Sequence, residues 1–162
     1  MTIEIGAELP SGNLMKLGEN GPEPVDVAAL TKGRKVVLFG LPGAFTGTCT
    51  SAHLPSFMRT AEAFRTKGVD EIICMSVNDP WVMDAWDKSM GASEAGITML
   101  ADPAGDLTMA MGLDFSAPVV GFVNRTRRFA AIVEDGVIQA LNEETERGVC
   151  DRTAGETLLE AI

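Results

Sequence analysis

Residues 35–53 read KVVLFGLPGAFTGTCTSAH, and the fold turns on how that stretch is parsed. Residues 35–40 form a short apolar run of the kind that makes a buried strand. A turn crowded with Gly, Pro and Thr follows, and beyond it Leu54, Phe57, Met58, Ala61 and Phe64 recur at three- and four-residue spacing until Gly68. That is the period of an amphipathic helix with a glycine stop. Strand, tight turn and helix in succession are the repeating unit of an α/β protein. If Thr48 or a neighbour caps the helix, Cys49 falls in its first turn, where free backbone N–H groups and the positive dipole end favour a thiolate over a thiol. Pro55 predicts a kink or an offset helix start close by.

The rest of the chain carries the same alternation. Residues 71–77 (EIICMSV), 97–100 (ITML) and 128–141 (RFAAIVEDGVIQAL) are β-rich, the last broken at Asp135-Gly136, a hairpin signal. Between them, NDPWVMDAWDKSMG opens a helix with Asp79 as N-cap and Pro80 in the first turn, and a weaker helix follows Gly105. At the end, TAGETLLEAI places Thr153 and Glu156 at capping-box spacing. Strands alternating with helices, closed by a hairpin and a helix, predict a mixed central sheet flanked by helices, in a thioredoxin-like order. No repeat or linker divides the 162 residues, so one domain spanning 1–162 is expected, and a domain of that size buries roughly 70% of its unfolded surface.

Thirteen basic and 23 acidic side chains leave a formal charge of −10, which opposes nucleic acid and anionic lipid surfaces. No apolar run is long enough to span a bilayer. The N-terminal MTIEIGAELPSGNL lacks the basic and long apolar regions of a signal peptide. Three cysteines, Cys49, Cys74 and Cys150, are too few and odd in number for a disulfide framework. A cytoplasmic protein in a reducing compartment is the expectation.

A low thiol pKa is a weak source of rate by itself. Lowering a thiol from about 8.5 to about 6 raises the thiolate fraction at pH 7 about thirtyfold. The accompanying loss of nucleophilicity, at a Brønsted slope of about 0.4–0.5, takes back about tenfold. A fast thiol enzyme therefore needs donors for the group attacked and the group expelled. Thr46 and Thr48 are the nearest hydroxyls, and Pro42 and Gly43 shape the loop. Cations have to come from elsewhere, and the densest basic cluster is NRTRRFAAIV, with Arg125, Arg127 and Arg128. An arginine at the start of that strand could reach a neighbouring strand's carboxyl end.

PGAFTGTC, residues 42–49, carries P-x-x-x-T-x-x-C and resembles the active-site signature of peroxiredoxins, specifically the type II, peroxiredoxin-5-like branch. PGAFTGTCTSAHLPSF, EIICMSVNDPWVMDAW, MLADPAGDLTMAMGL and RTRRFAAIVEDGVIQALNEE each look like a block of that branch, in order along nearly the whole chain. The resemblance implies a thiol peroxidase in which Cys49 attacks a hydroperoxide and becomes a sulfenic acid. It implies that Pro42 shields the sulfur, that Thr46 hydrogen-bonds peroxide and sulfur, and that Arg128 stabilises thiolate and transition state. No metal, flavin or nucleotide is needed, because sulfur does the redox chemistry. The reductant implied is glutathione with glutaredoxin, or thioredoxin, and the assembly implied is a homodimer. Gly47 stands where the family usually has proline and Ser56 where it usually has glycine, so a more flexible loop and a less fixed helix start are expected.

The remaining residues have plainer readings. Cys74, between Ile73 and Met75, reads as core, and Cys150 in NEETERGVCDRT as an exposed thiol; either could be the partner that resolves the sulfenic acid. His53, the single histidine, lies one helical turn after Cys49. A hydrolase-type Cys/His pair is conceivable there, but such a histidine usually comes from another part of the fold, and a structural histidine is expected. Metal binding by the same pair lacks further Cys or His ligands. Trp81, Trp86 and Met90, Met99, Met109 and Met111 read as helix core or gap-fillers, and Arg125 and Arg127 as surface charges. A non-catalytic thiol sensor or chaperone-like protein on the same fold is the alternative function.

Overall fold

The computed structural model describes residues 1–162. Its strands are β1 (Asn13–Gly18), β2 (Gly21–Asp26), β3 (Lys35–Leu41), β4 (Glu71–Ser76), β5 (Ile97–Ala101), β6 (Asp114–Ala117), β7 (Phe122–Thr126), β8 (Phe129–Glu134) and β9 (Val137–Glu143). The helices are α1 (Val27–Thr31), α2 (Leu54–Thr66), α3 (Pro80–Met90), α4 (Asp106–Ala110) and α5 (Gly155–Leu159). Seven strands make one mixed sheet in the order β2-β1-β5-β4-β3-β8-β9, and β6 and β7 form a separate ribbon. This is the expected mixed sheet with helices on both faces. No helix is long and apolar enough to cross a membrane.

Alternation along β3 decides what each face holds. Val37, Phe39 and Leu41 join a core with Phe57 and Phe64 of α2, Trp86 of α3 and Leu158 of α5, while Val36 and Leu38 join the opposite core with Leu107 of α4 and Val27 of α1. Phe39 and Phe57 stack with ring centroids 4.0 Å apart, fastening α2 to β3. Each such fully buried side chain contributes about 1.5–3 kcal/mol. The expected hairpin forms between β8 and β9, with Asp135 (φ 50°) and Gly136 (φ 78°) both left-handed, as a two-residue turn of this twist requires.

Strand β3 runs parallel to β4 and antiparallel to β8, with Gly40 opposite Phe129. The end of β3 that feeds the Cys49 turn therefore lies beside the beginning of β8, and Arg128 immediately precedes Phe129.

Several local expectations are corrected. The hairpin β1–β2, with Pro22 and Pro24 on its edge strand, and the ribbon β6–β7 are unmarked in the sequence pattern, because proline and glycine break their alternation. Thr153 does not cap α5, whose N-cap is Ala154 without a side-chain bond; the Thr153 hydroxyl goes to Glu144 instead. Trp81 and Met109 are exposed, at 58% and 46%, because each faces away from the sheet.

Candidate active site

Helical structure begins just before Cys49, but its first full turn, Cys49–His53, is a π-turn. The Leu54 N–H donates to the Cys49 carbonyl, five residues back, immediately ahead of Pro55, which has no N–H to give. The offset start expected from Pro55 is thus this wider turn. Thr48 occupies the N-cap position in helical conformation with no capping bond; its hydroxyl donates to the Gly148 carbonyl at 2.8 Å. The departure at Ser56 also acts against the expected loosening. The buried Ser56 hydroxyl donates to the His53 carbonyl (2.7 Å) and accepts from the Gly155 N–H (2.9 Å), pinning the helix start to α5. A Cβ on Gly155 would lie 2.6 Å from the Ser56 carbonyl oxygen, so only glycine permits that approach. Gly47 stands in open space.

Cys49 is 1% exposed and sits in a cavity also lined by Pro42, Thr46, Val120, Phe122, Arg128 and Arg147. Arg128, 7% exposed, donates from Nη2 to the Cys49 Sγ at 3.3 Å across a sequence separation of 79. The four residues expected at the site, Cys49, Thr46, Pro42 and Arg128, are therefore brought to one cavity. The Thr46 hydroxyl donates to the Gly43 carbonyl at 2.7 Å, so toward the cavity it offers lone pairs rather than a proton.

The loop before the cysteine is clamped from two sides. Arg125, expected as a surface charge, donates from Nη1 to the Pro42 carbonyl (2.9 Å), and its guanidinium lies 5.5 Å from the Phe122 ring centroid. Asn78, just past β4, accepts from the Ala44 N–H at 3.0 Å and from the Ser76 hydroxyl at 2.6 Å. Arg127 is likewise tied down, bonding to the Gly112 carbonyl and pairing with Glu143. Arg125 stands out in the sequence only as a member of the basic cluster at 125–128, and Asn78 carries no signal beyond its residue type.

His53 is fully buried and forms no pair with the sulfur. Its Nδ1 lies 3.0 Å from Arg128 Nη1 and its Nε2 3.1 Å from the Thr153 carbonyl oxygen. Burial, and next the Arg128 charge, hold its pKa well below the usual histidine value, against a smaller upward pull from the Thr153 carbonyl. The other two thiols differ. Cys74, in the middle of β4 on the same core face as Cys49, is fully buried, and burial first and the Cys49 charge second push its thiol well up. Cys150 is half-buried rather than exposed, 3.9 Å from the Thr153 hydroxyl, and burial pushes its thiol up as well. All three cysteines are free.

Residues 4–159 match the Redoxin family. The chain is 43% identical to Peroxiredoxin-2E-2, chloroplastic, of rice, covering 99% of this chain and 73% of that protein, and 41% identical to rice Peroxiredoxin-2C, covering 99% and 98%. Among solved structures it is similar to reduced Prx3 from Vibrio vulnificus in complex with hydrogen peroxide, with 39% identity, a TM-score of 0.92 and 99% of both chains covered. It is also similar to peroxiredoxin 5 from Alvinella pompejana, with 29% identity, a TM-score of 0.84, and 98% of this chain and 97% of that one covered.

Proposed function

The chain belongs to the redoxin family, in the type II peroxiredoxin branch, and is a thiol-dependent peroxidase; from that premise we propose that Cys49 is the sulfur that attacks the peroxide. The carrying observation is the 3.3 Å contact between Arg128 Nη2 and Cys49 Sγ in a cavity shared with Thr46 and Pro42. The Cys49 thiolate attacks the terminal oxygen of hydrogen peroxide or a small alkyl hydroperoxide. The S–O bond forms as the O–O bond breaks, and the departing oxygen takes the electron pair and a proton to leave as water or an alcohol. Sulfur is oxidised to sulfenic acid. Arg128 places positive charge beside the sulfur and the oxygens as negative charge moves between them. Thr46 Oγ1, its own proton committed to Gly43, accepts a hydrogen bond from the peroxide, and Pro42 keeps water from the sulfur.

Two reducing equivalents then come from glutathione with glutaredoxin, or from thioredoxin. One thiol displaces water from the sulfenic acid to form a mixed disulfide, and a second thiol releases Cys49. Two observations bear on a resolving thiol within the chain: Cys74 is enclosed in β4, and Cys150 is half-buried beside Thr153. Mass spectrometry after a single equivalent of peroxide should show sulfenic acid alone; an internal disulfide would assign one of them that role.

The purified protein should consume peroxide with dithiothreitol. Cys49→Ser should abolish turnover and Cys150→Ser should not, and turnover surviving in Cys49→Ser would sink the assignment. Arg128→Ala removes a charge-assisted bond worth about 1.5–3 kcal/mol, so single-turnover attack should slow about 10- to 100-fold. An unchanged rate would remove Arg128 from the mechanism. We further propose that the protein works in the cytoplasm, with its three free thiols in a reducing compartment, and as a homodimer; recovery from an organelle on fractionation would overturn the first, and the second is argued below.

A further inference from the structure

Arg128 has to aim one corner of a planar guanidinium at a sulfur from the start of a strand. No carboxylate lies within ion-pair distance of it, and at 7% exposure water supplies little. Its other engaged corner, Nη1, meets His53 Nδ1 at 3.0 Å. Because arginine can only donate, Nδ1 must accept; because the Thr153 carbonyl can only accept, Nε2 must carry the hydrogen. The two contacts together select one neutral tautomer.

The Thr153 carbonyl is itself held. The Glu144 carboxylate accepts from the backbone N–H groups of Asp151 (2.9 Å), Arg152 (3.3 Å) and Thr153 (2.8 Å) and from the Thr153 hydroxyl (2.6 Å). The Glu144 N–H in turn donates to the Arg128 carbonyl at 3.2 Å. The bonds therefore form a closed circuit: Arg128 backbone to Glu144, Glu144 carboxylate to Thr153, Thr153 carbonyl to His53, and His53 back to the Arg128 side chain. Fixing Nη1 fixes the plane of the fork and with it the direction of Nη2. A neutral acceptor does this without cancelling the charge that faces the sulfur, as a carboxylate in the same place would.

We propose that His53 is a positioning residue for peroxide attack: as the Nε2–H tautomer, anchored through Thr153 by Glu144, it holds Arg128 Nη1 so that Nη2 points at Cys49. The proposal rests on the peroxidase reading of Cys49 and adds to it two residues, His53 and Glu144, that touch neither the sulfur nor the peroxide.

Each hand of the imidazole can be kept in turn. Asparagine places its carbonyl oxygen near the position of Nδ1, and glutamine places its amide nitrogen near that of Nε2. His53→Asn should keep the acceptor for Arg128 and hold the single-turnover rate with peroxide within a few-fold of the wild type. His53→Gln, which keeps only the bond to Thr153, should lower it on the order of tenfold, the loss of one bond to a charged donor. Imidazole nitrogen NMR of the single histidine should show the neutral Nε2–H form at neutral pH. Equal rates for the two variants, or an Nδ1–H or charged ring, would overturn the proposal. Should the buried variants not fold, Glu144→Ala, at a half-buried position, should slow attack several-fold, and an unchanged rate and tautomer there would overturn it equally. A wild type that consumes no peroxide would fail the peroxidase reading, whereas the histidine NMR reports on the circuit alone.

Discussion

At the scale of single residues, the site depends on groups whose charges are set by their surroundings. His53 sits in the core without a proton to spare, under burial and the neighbouring Arg128 charge. Its folded pKa lies below the value of about 6.5 that it regains on unfolding. The unfolded chain therefore binds a proton as the pH falls through about 6.5 while the folded chain does not, and folding stability drops. The slope approaches about 1.4 kcal/mol per pH unit for one proton. Denaturant titrations from about pH 7.5 to about pH 5.5 should show that decline in the wild type and lose it in His53→Asn. A flat wild-type curve would mean the ring is not held neutral. Glu144 has the opposite sign in a different window. Its burial works against it, but hydrogen bonds from Thr153, Asp151 and Arg152 win and lower its pKa, so its contribution is present above the usual carboxylate value of about 4.3 and fades only as the pH falls below that.

At the scale of elements, the reacting turn is held by partners distant in sequence. Ser56 fastens the end of the π-turn to the first residue of α5, and Trp86 of α3 donates to the Thr50 hydroxyl at 3.2 Å. Ser56→Ala leaves the Gly155 N–H buried without its acceptor, and an unsatisfied donor of this kind costs about 1–3 kcal/mol. Chemical denaturation should register that loss, and no loss would mean that α5 is secured by Leu158 and its apolar neighbours alone. The same elements show why part of the fold could be read directly and part could not. Strand β3, its turn and α2 announce themselves by period and punctuation, and Arg128 by standing at the head of an apolar run. The hairpin β1–β2 hides behind Pro22 and Pro24, and β6–β7 behind Pro118 and Gly121. His53 could be expected as structural, but its contacts with Arg128 and Thr153, 75 and 100 residues away, follow only from the antiparallel pairing of β3 with β8 and the return of the C-terminal segment. Thr153 misled for the same reason: its spacing to Glu156 imitates a capping box, while its hydroxyl belongs to Glu144.

At the scale of the molecule, the sulfur's cavity opens beside an apolar rim. Val120 and Phe122 line the cavity, while their chain neighbours Val119, at 86% exposure, and Val123 stand in solvent on the β6–β7 ribbon, and Phe45 stands in solvent on the loop ahead of Cys49. Isolated exposed apolar residues need no explanation, but Val119 and Val123 flank two apolar cavity-lining residues on one ribbon, and such a cluster beside a site is the composition of an interface centre. On a chain of net charge −10, self-association has to be driven by apolar area against charge repulsion, so the contact should tighten with salt rather than loosen. The homodimer proposed above would place this rim at its two-fold axis, where each contact occurs twice. Val119→Asp changes a side chain that is free in the single chain, so its folding stability should stay within about 0.5 kcal/mol. In the dimer it would set two carboxylates against each other in a desolvated patch. Sedimentation should then show a dimer for the wild type, more so in high salt, and a monomer for Val119→Asp. A wild type that sediments as a monomer at all salt concentrations, or a variant that stays dimeric, would put the interface elsewhere or remove it.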